Sequence, residues 1–262
     1  MIRQSREFYE QAYLGTRYSS PLQSEEHSYY QYLHEFIQRY DLHNKKCLEI
    51  GTGRGAFREI VDDFTGIDVA FSASKYVDGK KFVVGSAVNL PFSCEVFDGV
   101  WTITVFEHIL EPELAMEEMW RVLKPEGYIF FAPAWHCRSW AAEGYPVRPY
   151  ADFNWKGKFI KALIPIRNNI LYRSVPVFLQ RINQLVMLLI DDEPSQFTYK
   201  QLTPNYDYFW MSDSDAVNSI DPFAAYVWFS SRGGVCLNYP TLRQAFFIRH
   251  GPLIFQKTGV KD

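Results

Sequence analysis

The chain is 262 residues long, 47% hydrophobic and 17% aromatic, with 27 basic and 30 acidic side chains for a formal net charge of -3. That length suits one large α/β domain with an insertion and a sizeable core, and the near balance of signs argues against a nucleic-acid partner, which usually needs a basic field. Cys47, Cys94, Cys137 and Cys236 form no C-x-x-C pair, which argues against a zinc knuckle or a redox motif and fits reduced thiols in a cytoplasmic protein. The first thirty residues are polar and tyrosine-rich, unlike a secretory signal, and no run reaches the roughly 18 apolar residues of a membrane span.

Residues 1–45 read as an aromatic arm followed by a helix. Phe8, Tyr9, Tyr13 and Tyr18 either cover the core, as aromatic area ordinarily does, or line a ligand. The helix is expected over 24–40, opened by Ser24 with Glu25 and Glu26 in its first turn, where carboxylates favour the positive end of the dipole.

From 46 to 133 apolar strand-like runs alternate with helical ones, the pattern of β-α-β units and a parallel sheet. Strands are expected at 46–50, 64–68, 81–84, 97–103 and 127–132. Gly55 to Asp63 reads as the first crossover helix and Glu111 to Leu123 as a later one, with Leu114, Met116, Met119, Val122 and Leu123 forming an apolar stripe. Lys124-Pro125-Glu126-Gly127 should stop that helix with a proline and a turn glycine.

Residues 134–220 break this rhythm and read as an insertion. Trp155 to Ile190 is expected to be helical in pieces broken at Pro165 and Pro176, and it carries Lys156, Lys158, Lys161, Arg167, Arg173 and Arg181 without an acid. Such a stretch can be a lid over an anionic acceptor, a peripheral contact with a membrane surface, or the solvated face of a structural cap. Asp213, Asp215 and Asp221 are interleaved with Ser212, Ser214 and Ser219, a pattern of caps rather than of a metal site, so no metal is expected. Asp221 to Gly233 reads as a helix, and Val235 to Tyr239 and Leu253 to Gln256 as strands completing the sheet. The core is therefore 46–133 with 221–262.

The stretch Cys47-Leu48-Glu49-Ile50-Gly51-Thr52-Gly53-Arg54-Gly55 is an apolar run ending in an acid and then three glycines at alternate positions. A strand that stops in such a loop lets backbone approach a nucleotide-like ligand closely. Gly51, Gly53 and Ala56 also satisfy the G-x-G-x-x-G/A dinucleotide fingerprint, so the loop alone leaves a nicotinamide cofactor in contention.

Several pieces in order resemble the class I S-adenosylmethionine-dependent methyltransferases, type 11 group. They are the Glu49 to Gly55 loop, Gly66-Ile67-Asp68-Val69, Gly85 to Phe92 followed by Phe97-Asp98-Gly99-Val100, Phe106-Glu107-His108-Ile109, and Arg121 to Gly127. The resemblance implies a Rossmann-like, doubly wound α/β fold: a seven-stranded, mostly parallel sheet with a largely helical lid inserted after the fifth strand. It also implies S-adenosylmethionine as cofactor. Glu49 would lie near its cationic methionine end, Asp68 would accept from its ribose hydroxyls, and Gly51, Thr52, Gly53, Gly55 and Val69 would also belong to the cofactor site. Ser86, Ala87 and Val88 would flank adenine, with Thr102 and Ile103 at the end of the fourth strand. Ser86 departs from the acid usual in the family, so a carboxylate contact to the adenine amine is absent. Glu49 suits a cationic ligand and would repel a pyrophosphate.

Methyl transfer from a sulfonium is an in-line displacement that asks the protein mainly to hold the acceptor and exclude water, while an acceptor with a proton to lose benefits from a base. The loops after the fourth and fifth strands would face the methyl group, which singles out Glu107 and His108 in one and Trp135 and His136 in the other. His136 is the favoured base, because Glu107-His108 recurs across the family and can simply brace a helix. His27, His34, His43 and His250 show no ligand spacing. The expected activity is O-methylation of a small molecule such as a sugar, a lipid-linked intermediate or a secondary metabolite. The rivals are an NAD(P)-dependent oxidoreductase and a catalytically idle cofactor-binding module.

Overall fold

A computed structural model describes residues 2–15, 24–190 and 193–259. Its centre is a seven-stranded sheet in the order β3-β2-β1-β4-β5-β9-β8. The strands are β1 (Lys46–Ile50), β2 (Asp63–Asp68), β3 (Lys81–Val84), β4 (Phe97–Ile103), β5 (Leu123–Ala132), β8 (Gly234–Cys236) and β9 (Leu253–Lys257). The first five are mutually parallel, and β9 runs antiparallel to both β5 and β8. This is the doubly wound sheet expected from the sequence.

Alternation along each strand sends side chains to two cores. Leu48, Ile50, Val100, Ile129, Phe131 and Phe255 join one with the helices α3 (Pro112–Val122) and α6 (Pro222–Ser230). Cys47, Trp101, Ile103 and Phe130 join the other with α2 (Tyr30–Arg39). Strand order reverses between β1 and β4, so the loops leaving them diverge and open a crevice at the carboxyl edge of the sheet.

Several local expectations change. The arm is a helix, α1 (Ile2–Leu14), and α2 begins only at Tyr30, after a single 3-10 turn at Ser24–Glu26; Tyr18 lies outside the described residues. No helix forms over 55–63. There the chain closes successive three-residue turns, Gly55 N–H to Thr52 O, Arg58 N–H to Gly55 O and Ile60 N–H to Phe57 O, which bury Phe57 and Val61. After α3 the strand starts at once: Leu123 pairs with Phe97, residues 124–127 bulge, and pairing resumes at Tyr128 with Gly99. Glu126, at φ 62°, takes the left-handed position expected of Gly127.

Residues 134–220 contain α4 (Trp155–Asn168), α5 (Ile170–Ile190) and a small antiparallel pair, β6 (Tyr199–Gln201) and β7 (Asn218–Ile220). The helical break falls at Asn169, while Pro165 and Pro176 lie inside helices. Asn154 caps α4 by accepting from Gly157 N–H at 2.9 Å. The short α7 (Leu242–Phe246), closed by a Thr241/Gln244 capping box, was also missed. No described helix is long and apolar enough to cross a membrane.

Candidate active site

A cavity of about 500 Å³ opens where the β1 and β4 loops part. Gly51, at φ 77°, leaves β1 so close to the β4 loop that a Cβ there would lie 2.2 Å from a Val105 methyl. The loop is therefore locked between β2 and β4, with Gly51 N–H donating to Ile67 O at 2.8 Å. Of the residues expected to hold the cofactor, Glu49, Gly51, Thr52, Gly53, Asp68, Val69, Ser86, Ala87, Val88 and Ile103 line this cavity.

Gly55 and Thr102 do not line it. A Cβ at Gly55 would strike the Tyr76 carbonyl at 2.4 Å, so this position serves the packing of the loop on its neighbour. Thr102 is wholly buried on the face of β4 opposite to Trp101 and Ile103, as the two-residue period requires.

The acids carry the electrostatics. Glu49 is buried beside the cavity, its Oε2 without a hydrogen-bond partner. Burial pushes its carboxyl up to about 8, opposed by the neighbouring Trp101 indole and reinforced by Asp68. Asp68 accepts from Gly53 N–H at 2.9 Å and Ala70 N–H at 3.0 Å, and burial still raises it to about 6. Each of its oxygens retains a lone pair for a hydroxyl. Glu107 is buried too, its Oε2 unpartnered and its pKa raised by burial against the opposing effect of His108. Two orphaned carboxylate oxygens on one cavity ask for a cation.

His108 also lines the cavity. Its Nδ1 lies 3.4 Å from both Asp215 Oδ2 and the Asp215 carbonyl, and its Nε2 lies 3.6 Å from Glu107 Oε1, beyond hydrogen-bond length. With the hydrogen on Nδ1, directed at Asp215, the lone pair remains on Nε2. Asn218 fixes this loop by donating to Phe106 O at 2.8 Å and Ile109 O at 2.7 Å. His136 lies elsewhere: its Nε2 faces Asp221 at 3.7 Å, its N–H donates to Ile220 O, and it does not line the cavity. The chain turns away at His136 itself, which sits at φ 57°.

Other lining residues carried no signal in a motif. Phe8, Tyr9 and Tyr13 come from α1, which is held down by the Glu10 carboxylate accepting from Phe71 N–H and Ser72 N–H. His27 also lines the cavity, its ring 4.9 Å from Phe57; burial lowers its pKa, with Arg54 adding to the effect. Phe209, Asp213 and Asp215 come from the insertion. The aspartates divide: Asp221 caps α6 through Phe223 N–H, while Asp215 faces Tyr9 and His108. Among the described residues no group of three acidic, histidine or cysteine side chains could hold a metal ion.

A family described as a methyltransferase domain matches residues 48–131. A demethylmenaquinone methyltransferase of Paenarthrobacter aurescens is 35% identical over 101 residues, 35% of this chain and 40% of that protein. A fatty-acid O-methyltransferase of Mycolicibacterium smegmatis is 28% identical over 118 residues, 40% of this chain and 42% of that protein. The chain thus spans about two fifths of the length of these curated relatives. An N-methyltransferase structure from Bradyrhizobium japonicum, solved with S-adenosyl-L-homocysteine, is 19% identical, covers 49% of this chain and 72% of that chain, and has a TM-score of 0.40. Residues 48–131 thus match a methyltransferase-domain family, and they do so on a 3-2-1-4-5 parallel sheet with a glycine loop at the end of β1.

Proposed function

We propose that the cavity binds S-adenosylmethionine and that the chain transfers its methyl group to an oxygen of a small, largely apolar acceptor. The observation that carries this reading is the buried, unpartnered Oε2 of Glu49 beside the glycine loop. It fits the ammonium of a methionine moiety and would oppose the pyrophosphate of a dinucleotide. When bound, the cofactor supplies a methyl group already activated on a sulfonium.

The chain's own residues supply the rest. The Glu49 carboxylate orients the cationic end, Asp68 accepts from the ribose hydroxyls, and Val88 offers an apolar wall to the base. His108 is the proposed base: Asp215 holds its Nδ1–H, so Nε2 can take the proton of an acceptor hydroxyl. Phe8, Tyr9, Ile109, Leu110 and Phe209 make the remaining wall mostly apolar and help exclude water. Relatives named for methylating demethylmenaquinone and fatty acids support an acceptor of lipid character.

The test is calorimetric titration with S-adenosylmethionine, its demethylated product and NAD, followed by mass spectrometry of hydroxylated apolar acceptors. Binding of the first two and a one-methyl mass gain are expected. Tighter binding of NAD would overturn the assignment.

A further inference from the structure

The helix α5 is apolar on two faces: Leu185 and Leu188 pack on the core, and a second apolar stripe faces outward. Val175, Phe178, Leu179, Ile182, Val186 and Ile190 are exposed, at spacings of three and four that line them along one face. The polar residues Arg181 and Gln184 point inward instead, Arg181 only 5% exposed and Leu179 61% exposed. An ordinary surface helix would do the reverse.

This orientation is fixed by specific bonds. Arg181 grips Asp221, donating from Nε to Oδ1 at 3.0 Å and from Nη2 to Oδ2 at 2.9 Å. It also donates to the carbonyls of Phe246, the last residue of α7, and of Ile248, just beyond it. Gln184 donates to the Thr198 hydroxyl. Rotating α5 to bury its apolar stripe would break all of these and leave a guanidinium to be resolvated, so the stripe is a fixed surface.

The neighbouring α4 extends it. Trp155, Phe159 and Ile166 are exposed there, flanked by the exposed cations Lys156, Lys158 and Arg167. Phe247, also exposed, carries the face to α7, whose Phe246 ring packs against Phe178 at 5.5 Å, with Arg243 and Arg249 exposed close by. No Asp or Glu occurs anywhere from 154 to 190 or from 222 to 261. Acids return only past the end of α5, at Asp191, Asp192 and Glu193, so the exposed charges of α4 and α7 beside the stripe are basic, and an apolar patch of this extent marks an interaction surface.

We propose that this outer face of α4 and α5 docks on an anionic lipid surface, with Trp155, Phe159, Leu179, Ile182 and Val186 entering the acyl boundary and the lysines and arginines meeting the headgroups. Charge decides between this occupant and a second copy of the chain. An isologous dimer through this face would bring together two surfaces that each carry exposed Lys156, Lys158 and Arg167 and have no acid between 154 and 190. Anionic headgroups complement them, and a helix lying flat in the interface needs this combination of apolar stripe, aromatic edge and basic rim.

The experiment is co-sedimentation of the full chain with vesicles of phosphatidylcholine alone and of phosphatidylcholine mixed with phosphatidylglycerol, alongside sedimentation velocity without lipid. Binding to the mixed vesicles and little to the neutral ones is expected. The variant Lys156→Gln/Lys158→Gln/Arg167→Gln should bind about a hundredfold more weakly, as loss of three interfacial cations predicts. Leu179→Asp/Val186→Asp should abolish binding while leaving thermal melting unchanged. Failure of the wild-type chain to sediment with the mixed vesicles overturns the proposal, as does a dimer that Leu179→Asp/Val186→Asp converts to monomer. Vesicle binding is read with neither methyl donor nor acceptor, so its failure and a failure of the methyl-transfer reading are distinguishable.

Discussion

Tyr9 donates its phenolic hydrogen to Asp215 at 2.7 Å, joining the N-terminal helix to the inserted segment across 206 residues of chain. The same carboxylate faces His108 Nδ1, so one acid organises both the floor and the cover of the cavity. Burial holds the Tyr9 hydroxyl well above its ordinary pKa, and the Asp215 charge adds to it, so it remains a donor at neutral pH. Replacing it by Phe should cost about 2 kcal/mol in a denaturant titration, typical of a hydrogen bond to a charged group. Acceptor KM should rise more than cofactor Kd changes, because the contact closes the acceptor side of the cavity.

His108→Ala should lower turnover of a hydroxyl acceptor by roughly a hundredfold or more, the usual scale for removing a general base. Asp215→Asn should give a smaller loss. His136→Ala should leave the rate near that of wild type, since its ring faces Asp221 outside the cavity. Steady-state kinetics on the three variants decides between the two histidines.

Glu49 links pH to both stability and binding. Its carboxyl is raised from 4.5 to about 8 in the folded chain, so the native state holds a proton that the unfolded state releases. Stability from this group is full below pH 4.5 and is lost as pH rises through about 8. A cation at Glu49 lowers that pKa, so binding of S-adenosylmethionine at pH 7 should release protons. Calorimetry in buffers of different ionisation enthalpy should detect the release, and Glu49→Gln should abolish it together with most of the affinity.

Arg181→Leu should destabilise the chain by about 3–5 kcal/mol, because it leaves Asp221 charged and buried without its partner. Asp221 also caps α6, so Asp221→Ala should cost at least as much. Chemical denaturation of each single variant and of the pair measures the coupling, which should be large.

The core was legible because its determinants are local in sequence. The strands at 46–50 and 97–103 are short, mostly apolar runs that are buried along nearly their whole length, as strands covered on both faces of a parallel sheet demand. The loop from Glu49 to Gly53 could be read for the same reason: a tight turn over a ligand needs glycine within a few residues of the strand end. The crossover at 55–63 was not legible as turns, because its apolar residues fit a helical period until the left-handed glycines pull the chain into successive tight turns. Nothing in the order of residues indicated that α5 would bury Arg181 and expose Leu179; that follows from where Asp221 and the α7 carbonyls stand.

The sequence by itself determined the fold class, the glycine loop and the acids near the ends of β1 and β2, since each depends on residues adjacent along the chain. Only the tertiary structure decided which histidine meets the cavity and that α1 supplies its wall. It also decided that the basic insertion is anchored by a buried arginine. Those outcomes depend on contacts between segments tens to hundreds of residues apart, such as Tyr9 with Asp215 and Arg181 with Asp221. The physical reason is that a side chain's direction is set by what its backbone packs against, and for a residue such as His136 that partner is Asp221, far along the chain.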